Sequence, residues 1–276
     1  MSTLFRASAV KLAIAGAVVA LGAAGTVAGG AAASASPHVA APPPVDHQLC
    51  YAASSTAFRI PAGIRLINQF SPNGFVPKIA PKAVLHCNPT VKILPTGKVF
   101  PITNPNAHLA CYTITPPGGQ PTPTVAVANQ FGTATLIPSQ PNLLCVPSWK
   151  SLTGPPGKTP RTPPGLNHFT CYPVKLAPGS NPYNPPPVML QDEFAAAPVQ
   201  AQVARVPAEL CLPTTKILPT GKTFKIINPA MHLLCFPVTP TPIISAVFDE
   251  NQFGTRKIAI SRTRWLCAPS TKRVVG

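Results

Sequence analysis

Proline is the feature that most constrains the fold of this chain. It supplies 39 of the 276 residues, nearly three times its ordinary share of about 5%. Proline breaks helix interiors and lacks the amide that a central strand donates, so it has to lie in turns, loops and strand edges. The count therefore argues against a helical bundle and against a doubly wound α/β enzyme. A hydrophobic content of 45% argues equally against a fully disordered chain.

Residues 1–35 have the pattern of a secretory signal peptide. Arg6 and Lys11 supply positive charge, a long apolar run follows, and Ala33-Ser34-Ala35 is a small-residue cleavage site. A transmembrane anchor is the alternative, because the run is nearly long enough to span a bilayer. We expect cleavage near Ala35, a Pro-rich N-terminal segment at 36–44 and a secreted, extracellular product with no later transmembrane segment.

The eight cysteines occur in two frames that alternate four times along the chain. The first frame is His-x-x-Cys-aromatic, and its cysteines are Cys50, Cys111, Cys171 and Cys235. The second frame is Cys-x-Pro-x-x-Lys, and its cysteines are Cys87, Cys145, Cys211 and Cys267. Between them lies a Gln-Phe or Glu-Phe pair: Gln69-Phe70, Gln130-Phe131, Glu193-Phe194 and Gln252-Phe253. We number the resulting repeats units one to four; they span 47–92, 108–150, 168–216 and 232–272.

A second, longer repeat in the sequence groups the four units into two pairs. Residues 87–112 and 211–236 are identical at 17 of 26 positions, whereas the join between units two and three, 151–167, is a Pro/Gly-rich linker without apolar periodicity. We therefore predict two tandem domains from a duplicated ancestor, one at 45–150 with units one and two, and one at 168–276 with units three and four.

Short apolar runs bounded by Pro, Gly or Asn predict an all-β fold. We expect two tandem disulfide-linked β-sandwich or barrel domains, each built from two pseudo-symmetric repeat units. The helix candidate at 192–206 is interrupted by Pro198 and reads as a loop followed by a strand. The Thr-Gly-Lys tripeptides at 96–98 and 220–222 are read as hairpin or crossover turns. The clearest predicted strands are 98–103, 108–115, 124–128, 143–146 and 256–260.

An even number of cysteines in an exported chain favours four disulfides. A metal site is disfavoured because the chain has no C-x-x-C pair. Closure within each unit would form loops for which chain entropy predicts about 4 kcal/mol of stabilisation apiece. The alternative joins neighbouring units, as Cys87–Cys111 and Cys211–Cys235. The favoured pairs are Cys50–Cys87, Cys111–Cys145, Cys171–Cys211 and Cys235–Cys267.

No residue pattern predicts a catalytic, cofactor or metal site, so we expect a protein that is not an enzyme. Four of the six histidines occupy one repeated position, whereas a catalytic histidine is normally used once, with a specific nucleophile and an orienting acid. We interpret the repeated histidines as structural. The few acids are interpreted as turn or solvent-facing residues: Asp46, Asp192, Glu193, Glu209, Asp249 and Glu250.

Charge is the most general functional signal. The net charge is +16 and falls to +14 without Arg6 and Lys11. It is spread evenly over the two halves, which argues against one focused groove. Such a balance favours an anionic partner, such as a cell-wall polymer or lipid headgroups. Nucleic acid is disfavoured, since neither aromatic platforms nor a reading helix is visible. A basic surface that only confers solubility is the alternative. The densest run gives the candidate anion-binding residues: Arg256, Lys257, Arg262 and Arg264.

The combined frame resembles a repeat domain of unknown function found in secreted bacterial proteins. Asn129-Gln130-Phe131-Gly132 and Leu144-Cys145-Val146-Pro147 fit it well, and the likeness covers essentially the whole chain after the signal peptide. Unit three departs from the pattern, with Glu193 before its Phe and Pro173 after its Tyr. The resemblance implies an exported, disulfide-linked β domain, and it carries no known activity or site.

Two hypotheses follow. The first is a secreted, non-catalytic structural or binding protein that recognises an anionic cell-surface polymer. The second is a secreted hydrolase with a site between the two domains. A deep cleft lined by unrepeated histidines and carboxylates would favour the hydrolase, whereas repeated surfaces or a broad basic face would favour binding. The sequence specifies neither the ligand nor the oligomeric state.

Overall fold

The computed structural model describes residues 45–275, so the predicted signal peptide (1–35) and Pro-rich segment (36–44) lie outside the described residues. Within the part described, no helix has the length and hydropathy needed to cross a bilayer. The strands are β1 (His47–Ser55), β2 (Arg65–Ile67), β3 (Lys78–Ile93), β4 (Val99–Phe100), β5 (His108–Thr115), β6 (Val125–Asn129), β7 (Gly132–Pro138), β8 (Leu143–Ser151), β9 (His168–Leu176), β10 (Val188–Gln191), β11 (Val199–Ala201), β12 (Glu209–Ile217), β13 (Thr223–Phe224), β14 (His232–Pro237), β15 (Pro242–Asn251) and β16 (Gly254–Val274).

Eight strands, each carrying one cysteine, pair side by side into a closed ring. The order is β1, β3, β5, β8, β9, β12, β14, β16 and back to β1, and every neighbouring pair is antiparallel. Closure leaves none of these strands with an unpaired edge at the level of the cysteines, which removes the exposed edges that an open sheet would present.

Each disulfide joins two ring neighbours of the same unit. The bonded cysteines face each other directly in the strand register. All four bonds are those favoured from the sequence, so closure within units is confirmed: Cys50–Cys87, Cys111–Cys145, Cys171–Cys211 and Cys235–Cys267. Disulfides of neighbouring units come close, since Cys50 Sγ lies 3.7 Å from Cys267 Sγ and Cys145 Sγ lies 3.9 Å from Cys171 Sγ.

Two apolar cores lie on the two faces of the ring. Successive side chains of a strand point to opposite faces, and in β14 Leu233 and Cys235 belong to the inner core while Leu234 and Phe236 belong to the outer one. All of His232–Phe236 is buried, because the outer face is covered as well. Because both faces of these strands are buried, their sequences are nearly continuous apolar runs.

The outer cover consists of the segments that carry the Gln-Phe or Glu-Phe pairs, and each segment crosses to another unit. β2 of unit one pairs with β12 of unit three, and β10 of unit three pairs with β3 of unit one. In the same way β6 of unit two pairs with β16, and β15 of unit four pairs with β8. The four units are therefore interleaved.

The two halves, 45–150 and 168–276, share this one ring instead of forming the two tandem domains that the sequence predicts. The physical reason is that β1 pairs with β16 and β8 pairs with β9, so strand edges that would have been open in each half are paired with the other half. Contacts accordingly group the described chain into one unit.

The predicted linker 151–167 is a packed loop between two ring neighbours. The Lys158 amide donates to Glu250 Oε2 at 3.0 Å, and Arg161 Nε lies 3.6 Å from Glu250 Oε1. Trp149 Nε1 donates to the Pro160 carbonyl at 2.8 Å. The loop is thus held against β15 and does not separate two bodies.

The all-β prediction is confirmed, and most predicted strands lie within strands of the structure. The predicted loop and strand at 192–206 are present, as the turn after β10 and as β11. The run 98–103 is different, because only Val99–Phe100 is a strand. Beyond it Pro101 has no amide to donate, and the amides of Thr103 and Asn104 donate to the Asp46 carboxylate.

Candidate functional site

Each frame histidine is the first residue of its ring strand and contacts the Gln or Glu of the next unit. His168 Nε2, for example, lies 2.9 Å from Gln252 Oε1. Burial lowers the pKa of His47 to about 3 and that of His232 to about 4, so both rings are neutral at neutral pH. The four pairs close a cycle: His47 with Gln130, His108 with Glu193, His168 with Gln252 and His232 with Gln69.

Each frame lysine places its ammonium group over the phenylalanine of the next unit, again in a closed cycle. Lys216 Nζ also lies 4.5 Å from the centroid of Phe224, so it has two aromatic neighbours. Burial lowers the pKa of Lys216 to about 6 and that of Lys92 to about 7, while the ring faces favour the charged form. The four pairs are Lys92–Phe131 at 4.9 Å, Lys150–Phe194 at 4.5 Å, Lys216–Phe253 at 4.8 Å and Lys272–Phe70 at 4.9 Å.

The same phenylalanines pack edge-on against the frame aromatic residue two units away. In each turn a side-chain oxygen of Asn or Asp accepts the phenylalanine amide; Asn251 Oδ1 accepts that of Phe253 at 2.8 Å. Every Gln-Phe turn is thus fixed by two other units, which supports a structural role for the repeated frames. The aromatic pairs are Phe70–Tyr172, Phe131–Phe236, Phe194–Tyr51 and Phe253–Tyr112.

One buried polar cluster departs from the fourfold pattern. Lys150 Nζ donates to Asn88 Oδ1 at 2.8 Å, and Asn88 Nδ2 donates to Asp192 Oδ2 at 2.9 Å. His86 Nδ1 lies 3.4 Å from Asp249 Oδ2, and both side chains are 0% exposed. Burial lowers the pKa of His86, and Asp249 opposes this. The cluster is an internal charge network that is closed to a substrate in solution.

Most of the acids are not the solvent-facing residues that the sequence suggests, although Asp192 does begin a turn and Glu193 is exposed. Of the six, only Glu193 is exposed, and the other five are buried. Each buried carboxylate accepts internal hydrogen bonds: Asp46 from Thr103, for instance, and Glu209 from Asn142. Glu209, for example, could not be placed inside from the sequence, because its partner Asn142 belongs to another unit and meets it only when the ring closes.

The cations, by contrast, are mostly exposed and lie on many elements. The exposed charged side chains are therefore almost all positive, since Glu193 is the one exposed acid among residues 45–275. The exposed lysines and arginines are Arg59, Arg65, Lys78, Lys82, Lys98, Lys158, Arg161, Lys175, Arg205, Lys222, Lys225, Lys257, Arg262, Arg264 and Arg273.

The four candidate anion-binding residues all lie on β16, and three of them are exposed. The exception is Arg256, whose Nε donates to the Ala57 carbonyl at 3.0 Å and whose Nη1 donates to the Thr255 carbonyl. Lys257, Arg262 and Arg264 are exposed. Opposite β1 the register shifts twice, so that residues 261 and 264 are both extra. Such a bulge changes which alternate residues face outward, and the one at residue 261 brings Lys257 onto the same face as Arg262.

The end of the ring opposite the histidines opens into a cavity of about 300 Å³. Its walls include the residues two positions before each second-frame cysteine, one from each unit: Leu85, Leu143, Glu209 and Trp265. The remaining wall residues are Val84, Thr113, Asn142 and Arg264. We call this space the mouth cavity. The units share their frame residues but differ at these positions, so an otherwise repetitive ring has one asymmetric end.

Glu209 is the buried carboxyl of the mouth cavity. It is 4% exposed, and Asn142 Nδ2 donates to its Oε1 at 2.8 Å. Burial raises the pKa of Glu209 to about 7, with Asn142 and Arg264 opposing the shift. Neither Glu209 Oε2 nor Asn142 Oδ1 has a hydrogen-bond donor. The sequence did not lead us to expect a cavity at Glu209 and Asn142. A signal was present, because units one to four have Leu, Leu, Glu and Trp at one repeated position, where the frame residues are otherwise shared.

Across residues 45–275, no group of three or more His, Cys, Asp or Glu side chains is arranged to hold a metal ion. In the comparison with protein families, a model described as a repeat of unknown function (DUF7450) matches residues 108–269, more than half of the chain. The match begins at the histidine of unit two and ends just after the last cysteine. No curated protein and no solved structure matches this chain.

Proposed function

We propose, from the premise that the chain belongs to the DUF7450 family of repeats of unknown function, that it is a secreted, non-catalytic protein that binds an anionic polymer at the cell surface. Four disulfides are typical of an extracellular or otherwise oxidising environment, which supports secretion. The repeated frames are engaged in holding the ring together, which leaves its surface as the part available for a partner.

The observation that carries the proposal is the separation of charge between interior and surface. Five of the six acids are buried, while most lysines and arginines are exposed. Ion pairs on the surface therefore neutralise few cations, and the exposed charge, with the field that it produces, is predominantly positive. Such a field attracts polyanions and accelerates their encounter with the protein.

Within this surface we assign the polymer contact to Lys257, Arg262 and Arg264. They lie on one strand, β16, and each is exposed. Arg264 lies over the ring of Trp265, at 5.0 Å from the centroid, which orients its guanidinium group. Arg256 is excluded from this contact, because its guanidinium group donates to two backbone carbonyls.

Retention on dextran sulfate beads, with uncharged dextran beads as reference, tests the proposal. We expect retention at about 0.05 M NaCl and release at about 1 M NaCl, since salt shortens the Debye length to about 3 Å. Absent retention, or retention that salt does not change, would reject the proposal.

A triple variant tests the location. Changing Lys257, Arg262 and Arg264 to Gln should lower the salt concentration of elution more than the matched change of Lys98, Lys222 and Lys225 to Gln. The two variants lose equal charge, and all six side chains are exposed. Equal shifts would contradict a contact on β16.

The alternative of a secreted hydrolase has less support. Hydrolysis of a glycosidic bond normally uses two carboxyl groups facing one open cleft. Asp192 and Asp249 are buried in the polar cluster, and Glu209 is the one carboxyl among the residues that line the mouth cavity. These observations favour binding over catalysis.

A further inference from the structure

Lys150 differs from the frame lysines Lys92 and Lys216 in its polar surroundings. Nζ of Lys92 and Nζ of Lys216 have no hydrogen-bond partner. Lys150 Nζ, by contrast, donates to Asn88 Oδ1 at 2.8 Å and contacts Glu193 Oε1. The Lys150 side chain is 1% exposed, and Asn88 is 0% exposed. A buried amine therefore lies directly against a buried carboxamide.

The polar partners of Lys150 are departures from the repeat. Asn88 follows the second-frame cysteine of unit one, where units two to four have Val, Leu and Ala. Asp192-Glu193 of unit three replaces the Asn-Gln that precedes the phenylalanine in the other units. Departures from two units thus meet at the lysine of a third unit. The shared frame residues hold the ring together without them, so these residues call for a separate explanation.

The geometry brings the amine within reach of the carboxamide carbon. Asn88 Cγ lies one C=O bond, about 1.23 Å, from Oδ1, so Lys150 Nζ is within about 4 Å of Cγ. Reacting atoms are typically held about 3–3.5 Å apart, so a movement on the order of 1 Å completes the approach. Burial lowers the pKa of Lys150 to about 7, with Asp192 and Asp249 opposing the shift. Much of the amine is therefore unprotonated at neutral pH and is a nucleophile.

The Asn88 carboxamide is held by hydrogen bonds at both ends. Its Nδ2 donates to Asp192 Oδ2 at 2.9 Å, which fixes the orientation of the group. Its Oδ1 faces His108 Nδ1 at 3.2 Å, and because a carbonyl oxygen only accepts, Nδ1 carries the proton. Burial lowers the pKa of His108 well below its usual range, so the ring is a neutral donor. Such a donor stabilises the negative charge that develops on the oxygen when a nucleophile attacks the carbon.

We propose that Lys150 and Asn88 join through an intramolecular amide (isopeptide) bond. The Lys150 ammonium group loses a proton to Glu193, and Nζ then attacks Cγ of Asn88 to form the Nζ–Cγ bond. Asp192 accepts a second proton from Nζ and returns it to Nδ2, the Cγ–Nδ2 bond breaks, and ammonia leaves. The step needs no oxidant, reductant or further reactant. It goes beyond the proposed function and does not rest on the polymer contact.

The amide bond supplies a covalent link that the disulfides do not. Each disulfide joins two strands of one unit. Asn88 lies on β3 of unit one and Lys150 on β8 of unit two, on either side of β5. An amide also survives thiol reductants, so the two units stay linked where the disulfides are reduced.

Mass spectrometry of the full secreted protein tests the proposal, after reduction, alkylation and digestion with trypsin. Trypsin does not cleave after an acylated lysine, so we expect peptide 83–92 joined to peptide 99–158. The joined species should be lighter than the two peptides together by one molecule of ammonia. Absence of this species overturns the proposal, and so does a link from Lys150 to Glu193 formed with loss of water.

Variants taken from the repeat itself test the roles of the residues. Asn88→Val introduces the residue of unit two, and Asp192→Asn introduces the residue of the other three units, so both suit the frame. Asn88→Val should abolish the link, and Asp192→Asn should lower the linked fraction at least about tenfold. Glu209→Gln is the control, because it changes a buried carboxyl group that is paired with Asn142, and its link should be complete. Nitrogen–proton correlation spectra confirm that each variant is folded, and an undiminished link in Asp192→Asn contradicts the proposed proton transfer.

Discussion

Lys216 illustrates how the frames accommodate a buried lysine. Its side chain is fully buried, Nζ has no hydrogen-bond partner, and two phenylalanine rings lie against it. Burial of an unpaired ammonium group is costly, so its pKa is lowered to about 6. Ring faces offset part of this cost, and the long aliphatic stem contributes to the outer core.

Lys216→Met should remove a pH dependence of stability. The folded state has a Lys216 pKa of about 6, below the value of about 10.4 in an unfolded chain, so the unfolded state binds the proton more tightly. Stability of the wild type therefore rises as the pH increases between these two values. The variant should be the more stable protein near pH 7 and should lose this advantage toward pH 10.

Urea unfolding at a series of pH values measures the effect. Lys225→Met is the control, because Lys225 is exposed and is not among the charges that lower the pKa of Lys216; its profile should parallel that of the wild type. Parallel profiles for Lys216→Met would contradict the description of Lys216 as a buried lysine with a depressed pKa.

Residue identity predicted the disulfides, but it did not predict which charges are buried. Cys50 and Cys87 could be paired from the sequence because closure within a unit is local. Asp249 could not be placed, since its neighbour His86 belongs to unit one, more than 160 positions earlier in the chain. Glu209 shows the same limit, because the mouth cavity exists only once all four units contribute to it.

At the scale of elements, the hairpin between β3 and β4 shows how a turn sequence fixes a local structure. The Leu94 amide donates to the Lys98 carbonyl, and the Gly97 amide donates to the Leu94 carbonyl. Gly97 has a φ of 80°, where residues with a Cβ are strained. The Thr-Gly-Lys tripeptides were correctly predicted as turns, and the one at 220–222 has the same two hydrogen bonds.

Gly97→Ala should destabilise the protein by about 1–2 kcal/mol through backbone strain alone. An added Cβ would meet no atom within 4 Å at Gly97 and none at Gly154. Gly154, whose φ is not positive, is therefore a matched control, and Gly154→Ala should be neutral or slightly stabilising. Urea unfolding compares the two variants, and equal effects would contradict the strained turn.

Most strands could be predicted from the sequence, but their partners could not. β5, for example, has the predicted bounds 108–115, because apolar runs between Pro, Gly and Asn residues are a local signal. The pairing of β1 with β16 joins residues more than 200 positions apart, and nothing in either run specifies the other. The pairing of each outer segment with a strand of another unit could not be predicted either, because every unit has the same frame residues.

At the scale of the whole molecule, the ring unites two halves that the sequence separates. Each half contributes four neighbouring ring strands, and the two junctions between halves, β1–β16 and β8–β9, are paired by backbone hydrogen bonds. A half alone would have two open edges and would lack partners for its Gln-Phe turns, because every such phenylalanine packs on an aromatic ring of the opposite half.

Residues 45–150 expressed alone should therefore fail to form a stable monomer. Their Phe70 and Phe131 would lose Tyr172 and Phe236, and exposing a buried phenylalanine side chain costs about 1.5–3 kcal/mol. Amide hydrogen exchange reports the outcome, with the full chain as control. Strong protection in the isolated, monomeric half would show that the halves are independent domains.

The central claim is that four disulfides, each closing one unit, form a belt inside a single ring. Non-reducing peptide mapping of the protein recovered from its native location tests it most directly. We predict four linked peptides, joining Cys50 to Cys87, Cys111 to Cys145, Cys171 to Cys211 and Cys235 to Cys267. Recovery of bonds between units, such as Cys87–Cys111, or of free thiols at these positions would contradict it.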